Sequence, residues 1–375
     1  MLKRSSCAVR LSSLSVSLLI ASLSTAWLSR AIADDTSDCE AVNGVTPICG
    51  FQSPEDLEVM AGDHLLIVSE YGGLSGKKPG ALSSYHTIDE TVVRLFPGAD
   101  STVNGPSSEN SMWGDKNCPG PPSAAFDPHG IHHSADLAPE RLLVVNHGGR
   151  ESIEIFEVKL DAGGDNVALT WRGCIIAAPG TWLNDVVTLP NGGFAATNMM
   201  PRDFTREQIF AVEASKADSG YVLEWQVDSG WRKLPGTEGA LTNGIEVSPD
   251  GKVLYINYYL GSQVAAVERE TGKRLWTIEV EGPDNTTWAP DGKLLVATHQ
   301  HTTLRDILKC SDADIEFCPI AYEIMAVDPA TGSHSLRYQG GGAPMAAATV
   351  GVQIGQTLYL GSFAGQRIGR VELSP

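Results

Sequence analysis

"NGIEVSPDGKVLYINYY", residues 243–259, decides the fold of this chain. A short run of alternating apolar and polar residues leads into Pro-Asp-Gly, and a second, mostly apolar run follows. Pro-Asp-Gly supplies the positive φ angle that a tight turn between antiparallel strands needs. The stretch therefore predicts a β-hairpin whose first strand begins at a polar residue, Asn243.

The same hairpin pattern recurs along the chain. Clear copies are "NDVVTLPNGGFAATN" (184–198) and "DNTTWAPDGKLLVATH" (284–299), and weaker ones are "EDLEVMAGDHLLIVSEY" (55–71), "HGIHHSADLAPERLLVVNH" (129–147) and "AAATVGVQIGQTLYLGSF" (346–363). The copies begin roughly 40 to 75 residues apart, which leaves room for about four strands, or one propeller blade, in each interval. Six copies predict an all-β chain folded as a six-bladed β-propeller around a central channel.

Residues 1–33 have the layout of a cleavable secretory signal. A basic start is followed by the apolar run "LSSLSVSLLIASLSTAWL" and by the small-residue site Ala31-Ile32-Ala33. The apolar run is too short and too rich in serine for a good membrane span. We expect an exported protein, periplasmic or extracellular, with one propeller domain over 34–375 and no stable membrane anchor after cleavage.

The charge of the mature chain limits its partners. The signal takes four of the 27 basic residues and none of the 45 acidic ones, which leaves 23 basic residues and a formal charge of −22. This balance argues against nucleic acid or an anionic membrane surface as partner, and it leaves carboxylates available for a cation. The sequence leaves the oligomeric state open.

The cysteines fit an oxidising compartment. Cys7 leaves with the signal, and the even set of six that remains predicts disulfides. Six cysteines allow 15 pairings. Short loops favour Cys39–Cys49 and Cys310–Cys318, which leaves Cys118–Cys174. A zinc site is the alternative, although no Cys-x-x-Cys spacing supports it.

Polar residues begin the hairpin copies at matched positions. Six residues before the turn proline, or before the residue in its place, stand Glu55, His129, Asn184, Asn243, Asp284 and Ala347. The next position holds Asp56, Gly130, Asp185, Gly244, Asn285 and Ala348. Equivalent positions of successive blades form a ring around the propeller axis, so these side chains should meet in the channel.

The chemistry of this ring predicts a cation site. Crowded carboxylates repel one another unless a cation neutralises them. A mixture of carboxylate and amide oxygens favours Ca²⁺ over Mg²⁺, which needs a tight octahedron, and over Zn²⁺, which prefers nitrogen and sulfur. The alternative is that Asn and Asp only cap turns at strand ends. The sequon at Asn285 is not expected to carry a glycan, because Asn285 should face the channel.

Three of the histidines are candidates for the same cavity. The stretch "FDPHGIHHS" (126–134) places His129 in the ring itself, whereas His132 and His133 are expected to have core or surface roles. His147 ends the same hairpin and could approach His129. His299 ends the fifth inner hairpin and could line the same pocket.

The motifs "SPEDLE", "FDPHGI", "LLVVNH", "LNDVV", "TNGIEVSPDGK" and "DNTTWAPDGKLLVATH", in this order over roughly residues 50–375, resemble the calcium-dependent paraoxonase and arylesterase family. The resemblance implies a six-bladed propeller that holds two calcium ions in its channel. The catalytic ion would be held by Glu55, Asn184, Asn243, Asp284 and Asn285. The structural ion would be held by Asp56, Asp185 and the backbone carbonyl of Ile131. His129 and His147 would form a histidine dyad, with His299 in the pocket wall.

The sequence departs from the family's pattern at three places. Vertebrate members join the N-terminal strand to the C-terminus by a disulfide, but "GSFAGQRIGRVELSP" (361–375) has no cysteine. Either closure of the ring depends on strand pairing, or the cysteines pair differently from those of the family. Met199-Met200 stands where the family often has polar pocket residues. The segment 201–217, which could form a short helix or lid, differs from the family's lid helices.

Hydrolysis of a small-molecule lactone or aryl ester is the favoured function. Ca²⁺ would polarise the carbonyl, His129 would deprotonate water and His147 would relay the proton, although Glu55 or Asp284 could be the base instead. No Gly-x-Ser-x-Gly motif supports a serine hydrolase. One alternative is a sugar-lactone hydrolase of the gluconolactonase type with a single metal ion. Another is a non-catalytic exported propeller, braced by calcium, that binds a partner.

Overall fold

The computed structural model describes residues 39–60, 62–73, 78–98, 113–310 and 318–374, and the predicted signal at 1–33 lies outside them. The described part forms strands throughout, with two short helices, α1 (Arg206–Ser215) and α2 (Leu304–Lys309). Within it, no helix combines the length and apolar character that a membrane crossing requires.

The strands form six separate sheets, which are the six blades of a propeller. Blade 1 contains β2 (Pro54–Val59), β3 (Leu65–Glu70), β4 (Ala81–His86) and β5 (Val92–Phe96). Blade 2 contains β6 (Trp113–Gly114), β7 (Pro128–Ser134), β8 (Arg141–Asn146), β9 (Ser152–Leu160) and β10 (Val167–Ile176). Blade 3 contains β11 (Thr181–Thr188), β12 (Phe194–Pro201), β13 (Tyr221–Gln226) and β14 (Gly230–Lys233).

Blades 4 and 5 have the same four-stranded order, and blade 6 combines both ends of the described chain. Blade 4 contains β15 (Thr242–Val247), β16 (Val253–Tyr258), β17 (Gln263–Glu268) and β18 (Arg274–Glu279). Blade 5 contains β19 (Pro283–Trp288), β20 (Leu294–Gln300), β21 (Ala321–Val327) and β22 (His334–Gly340). Blade 6 contains β23 (Ala348–Ile354), β24 (Thr357–Ser362), β25 (Arg367–Glu372) and β1 (Val45–Cys49).

Strand pairing closes the ring, which is the first of the two alternatives that the absence of a C-terminal cysteine left open. β1 pairs antiparallel with β25 over five residues, from Val45 opposite Val371 to Cys49 opposite Arg367. The first strand of the chain thus becomes the outermost strand of the last blade, which removes two free sheet edges at once. The prediction of a six-bladed all-β propeller is confirmed.

All three predicted disulfides are present. Cys39–Cys49 holds the chain next to β1, and Cys310–Cys318 closes the segment after α2. Cys118–Cys174 fastens the chain after β6 to β10, which β6 extends as a fifth, parallel strand. Three bridges are consistent with an exported protein.

The burial of the strands explains why the polar ring is so constrained. In blade 4 every residue of β15 is buried, whereas β18 at the rim is mostly exposed. Apolar clusters fill the spaces between neighbouring blades; Ile245, Leu254 and Val187, for example, join blades 3 and 4. A polar side chain on an inner strand is therefore surrounded by core, where it needs a partner.

Each inner strand breaks its pairing at the same place. The register of all six inner hairpins shifts where two residues of the inner strand face one residue of its neighbour. Such β-bulges re-aim side chains and are common next to active sites. In blades 1 to 5 the bulged residues are the pairs that begin the sequence copies, so the bulge turns the first residue of each pair towards the cavity.

Candidate active site

Five of the six residues predicted for the ring line one cavity of about 180 Å³. They are Glu55, His129, Asn184, Asn243 and Asp284, and each is at least about nine-tenths buried. The prediction was wrong for blade 6. The bulge of β23 follows Ala348, so Thr349, not Ala347, takes the equivalent position and lines the cavity. Ala347 precedes β23. The predicted position was wrong because the sixth copy lacks the turn proline from which the other positions are counted.

The second bulge position connects blades through carboxylates. Asp56 of blade 1 accepts hydrogen bonds from the N–H of Leu57 (2.9 Å) and from the N–H of Ile131 in blade 2 (2.8 Å). Asp185 of blade 3 does the same with Val186 (2.8 Å) and with Ile245 in blade 4 (2.9 Å). Each carboxylate thereby satisfies backbone groups that the bulge leaves unpaired.

Glycine at the alternate positions makes this approach possible. A Cβ on Gly130 would lie 2.5 Å from the Asp185 carboxylate. On Gly244 it would lie 2.2 Å from the backbone oxygen of Asp284. Only glycine therefore lets the neighbouring blade come this close.

Three buried oxygens of the ring are left without a hydrogen-bond partner in the described part of the chain: Oε2 of Glu55, Oδ1 of Asn184 and Oδ1 of Asn243. Leaving one buried acceptor unpaired costs about 1–3 kcal/mol, so three in one cavity require an explanation. Carboxylate and amide oxygens are hard ligands, and a cation with oxygen ligands would satisfy all three. The residues present therefore fit Ca²⁺.

Burial and mutual repulsion raise the pKa values of the carboxyl groups in and beside the ring. Burial, together with Asp56 and Asp284, raises the pKa of Glu55 well above its ordinary value, although a hydrogen bond from Asn285 (2.8 Å) opposes this. Burial raises the pKa of Asp284 to about 8 and that of Asp56 to about 7. The pKa of Asp185 is also raised, first by burial and then by Asp56. A bound cation would favour the ionised form of every one of these groups.

The two histidines predicted as a dyad are in contact. Nδ1 of His129 lies 2.9 Å from Nε2 of His147. Nε2 of His129 points the other way, 3.6 Å from the Glu55 carboxylate and 3.5 Å from the Asn184 amide. The ring of Tyr71 stacks on His129 at 4.6 Å. Burial, and next the neighbouring His147, holds the pKa of His129 well below its ordinary value, which favours the neutral imidazole.

Glu151 extends the dyad and was not predicted from the sequence. Its Oε2 lies 3.0 Å from Nδ1 of His147 and is paired with Arg202, while its Oε1 accepts the N–H of Leu183 at 2.7 Å. Burial alone would raise the pKa of Glu151, but His147, Leu183 and Arg202 hold it below its ordinary value. The result is a line of hydrogen-bonding groups from the cavity to a carboxylate.

Of the remaining histidines considered in the sequence, one lines the cavity and two do not. His299 lines the cavity, where Nδ1 contacts the hydroxyl of Tyr259 at 2.8 Å and lies 3.8 Å from Asp284. His132 and His133 point away from it. His132 contacts Thr188, and His133 contacts Glu140 at 3.0 Å, which agrees with the core and surface roles expected for them.

A family model described as arylesterase matches residues 116–368, about two thirds of the chain. The chain belongs to the arylesterase family. The match includes the histidine dyad and the ring residues of blades 2 to 6, while Glu55 and Asp56 precede it. Membership of the arylesterase family supports hydrolysis of an ester or lactone bond as the general reaction. A sequence search of curated proteins finds no match.

Solved structures confirm the fold of this arylesterase-family chain. A luciferin-regenerating enzyme is similar with a TM-score of 0.51 and 13% identity, over 86% of this chain and 92% of that one. A gluconolactonase from Xanthomonas campestris is similar with a TM-score of 0.50 and 16% identity, over 88% and 89% of the two chains. At these identities the likeness concerns the propeller fold alone.

The end of the cavity opposite the ring is apolar. We call the ring, the dyad and Glu151 the channel floor, and the apolar end the channel mouth. The mouth is lined by Trp182, Met199, Met200, Ile209, Leu241, Leu304, Ile307 and Phe363. The predicted pocket residues Met199 and Met200 are thus in place. The segment 201–217 contains α1, as expected, and α1 contributes Ile209.

The second helix of the channel mouth was not predicted. The N–H of Leu304, the first residue of α2, donates to Glu213 of α1 at 2.6 Å, and Ile307 packs into the apolar cluster around α1. A sequence signal for α2 does exist. Thr303 and Asp306 form a capping box at its N-terminus, a pattern that precedes helices.

Proposed function

We propose that this arylesterase-family chain is a calcium-dependent hydrolase of lactones and aryl esters. The observation that carries the proposal is the channel floor. There, three buried oxygens without a hydrogen-bond partner among the described residues converge beside a neutral histidine. That histidine, His129, is backed by His147 and Glu151. A cation site next to a chain of proton-accepting groups is the arrangement that metal-assisted hydrolysis requires.

Five residues would hold the catalytic ion: Glu55, Asn184, Asn243, Asp284 and Asn285. Bound there, Ca²⁺ would polarise the carbonyl of the substrate and stabilise the negative charge that develops on its oxygen. A second, structural ion would lie between Asp56 and Asp185 with the carbonyl of Ile131. Each of these carboxylate oxygens accepts one N–H and so keeps a lone pair for a cation.

The histidines would move the proton of the attacking water. Nε2 of His129 faces the cavity and accepts that proton, while Nδ1–H of His129 passes its own proton to Nε2 of His147. His147 then carries a positive charge, which Glu151 stabilises from Nδ1. Glu151 thus acts as a positioning residue for the base. Glu55 and Asp284 are poorer candidates for the base, since ionised metal ligands are weak proton acceptors.

The channel mouth indicates the substrate class. Its side chains are apolar or aromatic, and they offer few partners for the hydroxyl groups of a sugar. We therefore favour lactones and esters with aryl or alkyl groups over the polyhydroxylated lactones that a gluconolactonase hydrolyses. The chain is proposed to act after export, in the periplasm or outside the cell.

The test is an assay of the purified protein with phenyl acetate, alkyl lactones and a sugar lactone, before and after chelation. Activity on the first two groups that disappears on chelation and returns with Ca²⁺ is the expected result. Preferential hydrolysis of the sugar lactone would contradict the proposed substrate class but leave the proposed hydrolase activity in place. A folded protein that binds calcium and turns over nothing on the panel would contradict the proposal and favour a non-catalytic binding role.

A further inference from the structure

A second group of metal-ligand side chains lies outside the channel, between blades 1 and 2. His64 stands directly before β3, His86 ends β4, and Asp165 lies in the turn that joins β9 to β10. One donor atom from each residue lies within 4.8 Å of donor atoms of the other two, and Oδ1 of Asp165 is near Nε2 of both histidines. None of these residues contributes to the channel floor or the channel mouth.

The hydrogen bonds of the two rings leave both Nε2 atoms free to bind a metal. Nδ1 of His64 lies 2.5 Å from the carbonyl oxygen of Gly62, which can only accept, so Nδ1 must carry the proton. Nδ1 of His86 lies 2.8 Å from the carboxylate of Asp89. The N–H of Asp89 is farther from it, at 3.3 Å, so the shorter contact also assigns the proton of His86 to Nδ1.

The two Nε2 atoms are unsatisfied as hydrogen-bonding groups. Both are buried, and neither makes a hydrogen bond to any described residue. They lie 3.5 Å (His64) and 3.7 Å (His86) from Oδ1 of Asp165, which is too long for a good hydrogen bond. Ligands about 2.1 Å from a tetrahedral zinc ion lie roughly 3.4 Å from one another, so these distances suit atoms around an ion.

We propose that His64, His86 and Asp165 bind a divalent transition-metal ion, with zinc as the best fit. Two imidazole nitrogens and one carboxylate form a three-ligand set that zinc completes with water, whereas calcium requires oxygen ligands. The hydrogen bonds from Nδ1 to Gly62 and to Asp89 would hold the two imidazole rings in the orientation that points Nε2 at the metal. The ion would fasten the β9–β10 turn of blade 2 to the strands of blade 1.

The accessibility of the site fits a metal that exchanges with solvent. The histidine side chains are mostly buried, with 19% and 11% exposed, but the Asp165 side chain is 63% exposed. A water ligand can therefore complete the coordination from outside. The Asp165 backbone is held in place because its N–H donates to Asp161 at 2.9 Å. The proposal is independent of the channel and of the proposed hydrolase function.

Zinc titration of the calcium-saturated, full-length mature protein tests the site. Calcium is added first so that the oxygen ligands of the channel are occupied. We expect one equivalent of Zn²⁺ by isothermal titration calorimetry, and the absorption bands of a four-coordinate ion when Co²⁺ replaces it. His86→Gln and Asp165→Asn should each weaken zinc binding by at least about 100-fold, and Asp89→Asn by roughly tenfold. Asp165 is exposed, so its variant should fold normally.

Two control variants locate the zinc. His301→Gln removes an exposed histidine elsewhere on the surface and should bind zinc like the parent protein. His129→Gln removes a histidine of the channel and should also leave the zinc stoichiometry unchanged. Loss of zinc in His129→Gln but not in His86→Gln would place the ion in the channel and overturn the proposal. Absence of zinc binding at micromolar concentrations would show that the cluster is only an ion pair.

Discussion

The channel floor and the channel mouth are two ends of one cavity, but they are built in opposite ways. The ring of the floor comes from the same bulge repeated in successive inner strands, and the ring side chains are polar and deeply buried. The mouth comes from hairpin ends and from α1 and α2, which have no counterpart in the described residues of the other blades. Its side chains are apolar, and most of them are only partly buried.

This contrast separates chemistry from selectivity. The floor holds the oxygens and the histidines proposed to bind the cation and to move the proton, so changes there should abolish turnover whatever the substrate. The mouth offers shape and apolar contacts, so changes there should alter the choice of substrate and leave the chemical step in place. Substitutions at the two ends therefore test whether the division holds.

Glu55→Gln on the floor should have the largest effect. It removes the one carboxylate of the ring that has an oxygen without a partner among the described residues. We expect kcat/KM for phenyl acetate to fall by about 10³-fold or more, together with weaker calcium binding. Steady-state kinetics across a calcium titration measure both. Glu140→Gln, which removes a carboxylate outside the cavity, is the control, and equal losses in both variants would contradict a special role for Glu55.

His129→Gln should reduce kcat by about 10²- to 10³-fold, because the base is lost while the cation site remains. Calcium affinity should change little, which distinguishes this variant from Glu55→Gln. His133→Gln is the matched control, since the His133 side chain is also largely buried but its Nε2 contacts Glu140 outside the cavity. If His129→Gln retains full activity, the base is another group of the floor.

Glu151→Gln should reduce kcat by roughly tenfold, since the carboxylate acts on the base only through His147. The change also removes the charge that stabilises protonated His147, so the acid limb of the pH profile should move to lower pH. A role in folding alone would leave that limb in place. Glu224→Gln, at a buried carboxylate of blade 3 that pairs with Arg232 and Arg269, should leave both kcat and the pH profile unchanged.

The same contrast explains what the sequence could predict. The floor was predictable because repetition places equivalent residues at equivalent depths, and Asn243 or Asp284 can be located by counting from a turn. Counting failed at Thr349, where the sixth copy lacks the proline that fixes the position. Glu151 was missed because no repeat marks it, although it follows His147 by four residues. The mouth depends on tertiary packing of α2, a helix too short for its apolar pattern to stand out.

Ile307→Ala at the mouth should have a smaller and selective effect. It enlarges the cavity next to α2, so kcat/KM should change by several-fold for lactones with long alkyl chains and by less than about twofold for phenyl acetate. Competition assays between a short and a long lactone report the change directly. Leu336→Ala, an exposed residue of β22, is the control. An equal loss of kcat/KM on all substrates would mean that Ile307 also holds the polar residues of the floor in position.

The smallest expected effect is that of pH on the parent protein, whose activity should change little with pH near neutrality. His129 must be neutral to accept a proton, and its lowered pKa keeps it neutral at every pH above that value. Activity should therefore stay nearly constant from pH 8 down to the ordinary histidine pKa of about 6.5 and decline only below it. A cation bound beside His129, as proposed, would strengthen the effect, since it would disfavour the protonated imidazole further.

The pH profile separates the two ends of the cavity once more. Ile307→Ala should show the same acid limb as the parent protein, because it changes neither the burial nor the charge around His129. Glu151→Gln should shift that limb, because the relay loses its anion. A decline in kcat/KM that already begins above pH 6.5 in the parent protein would contradict a buried neutral histidine as the base. The proton acceptor would then have to be sought among less buried groups of the cavity.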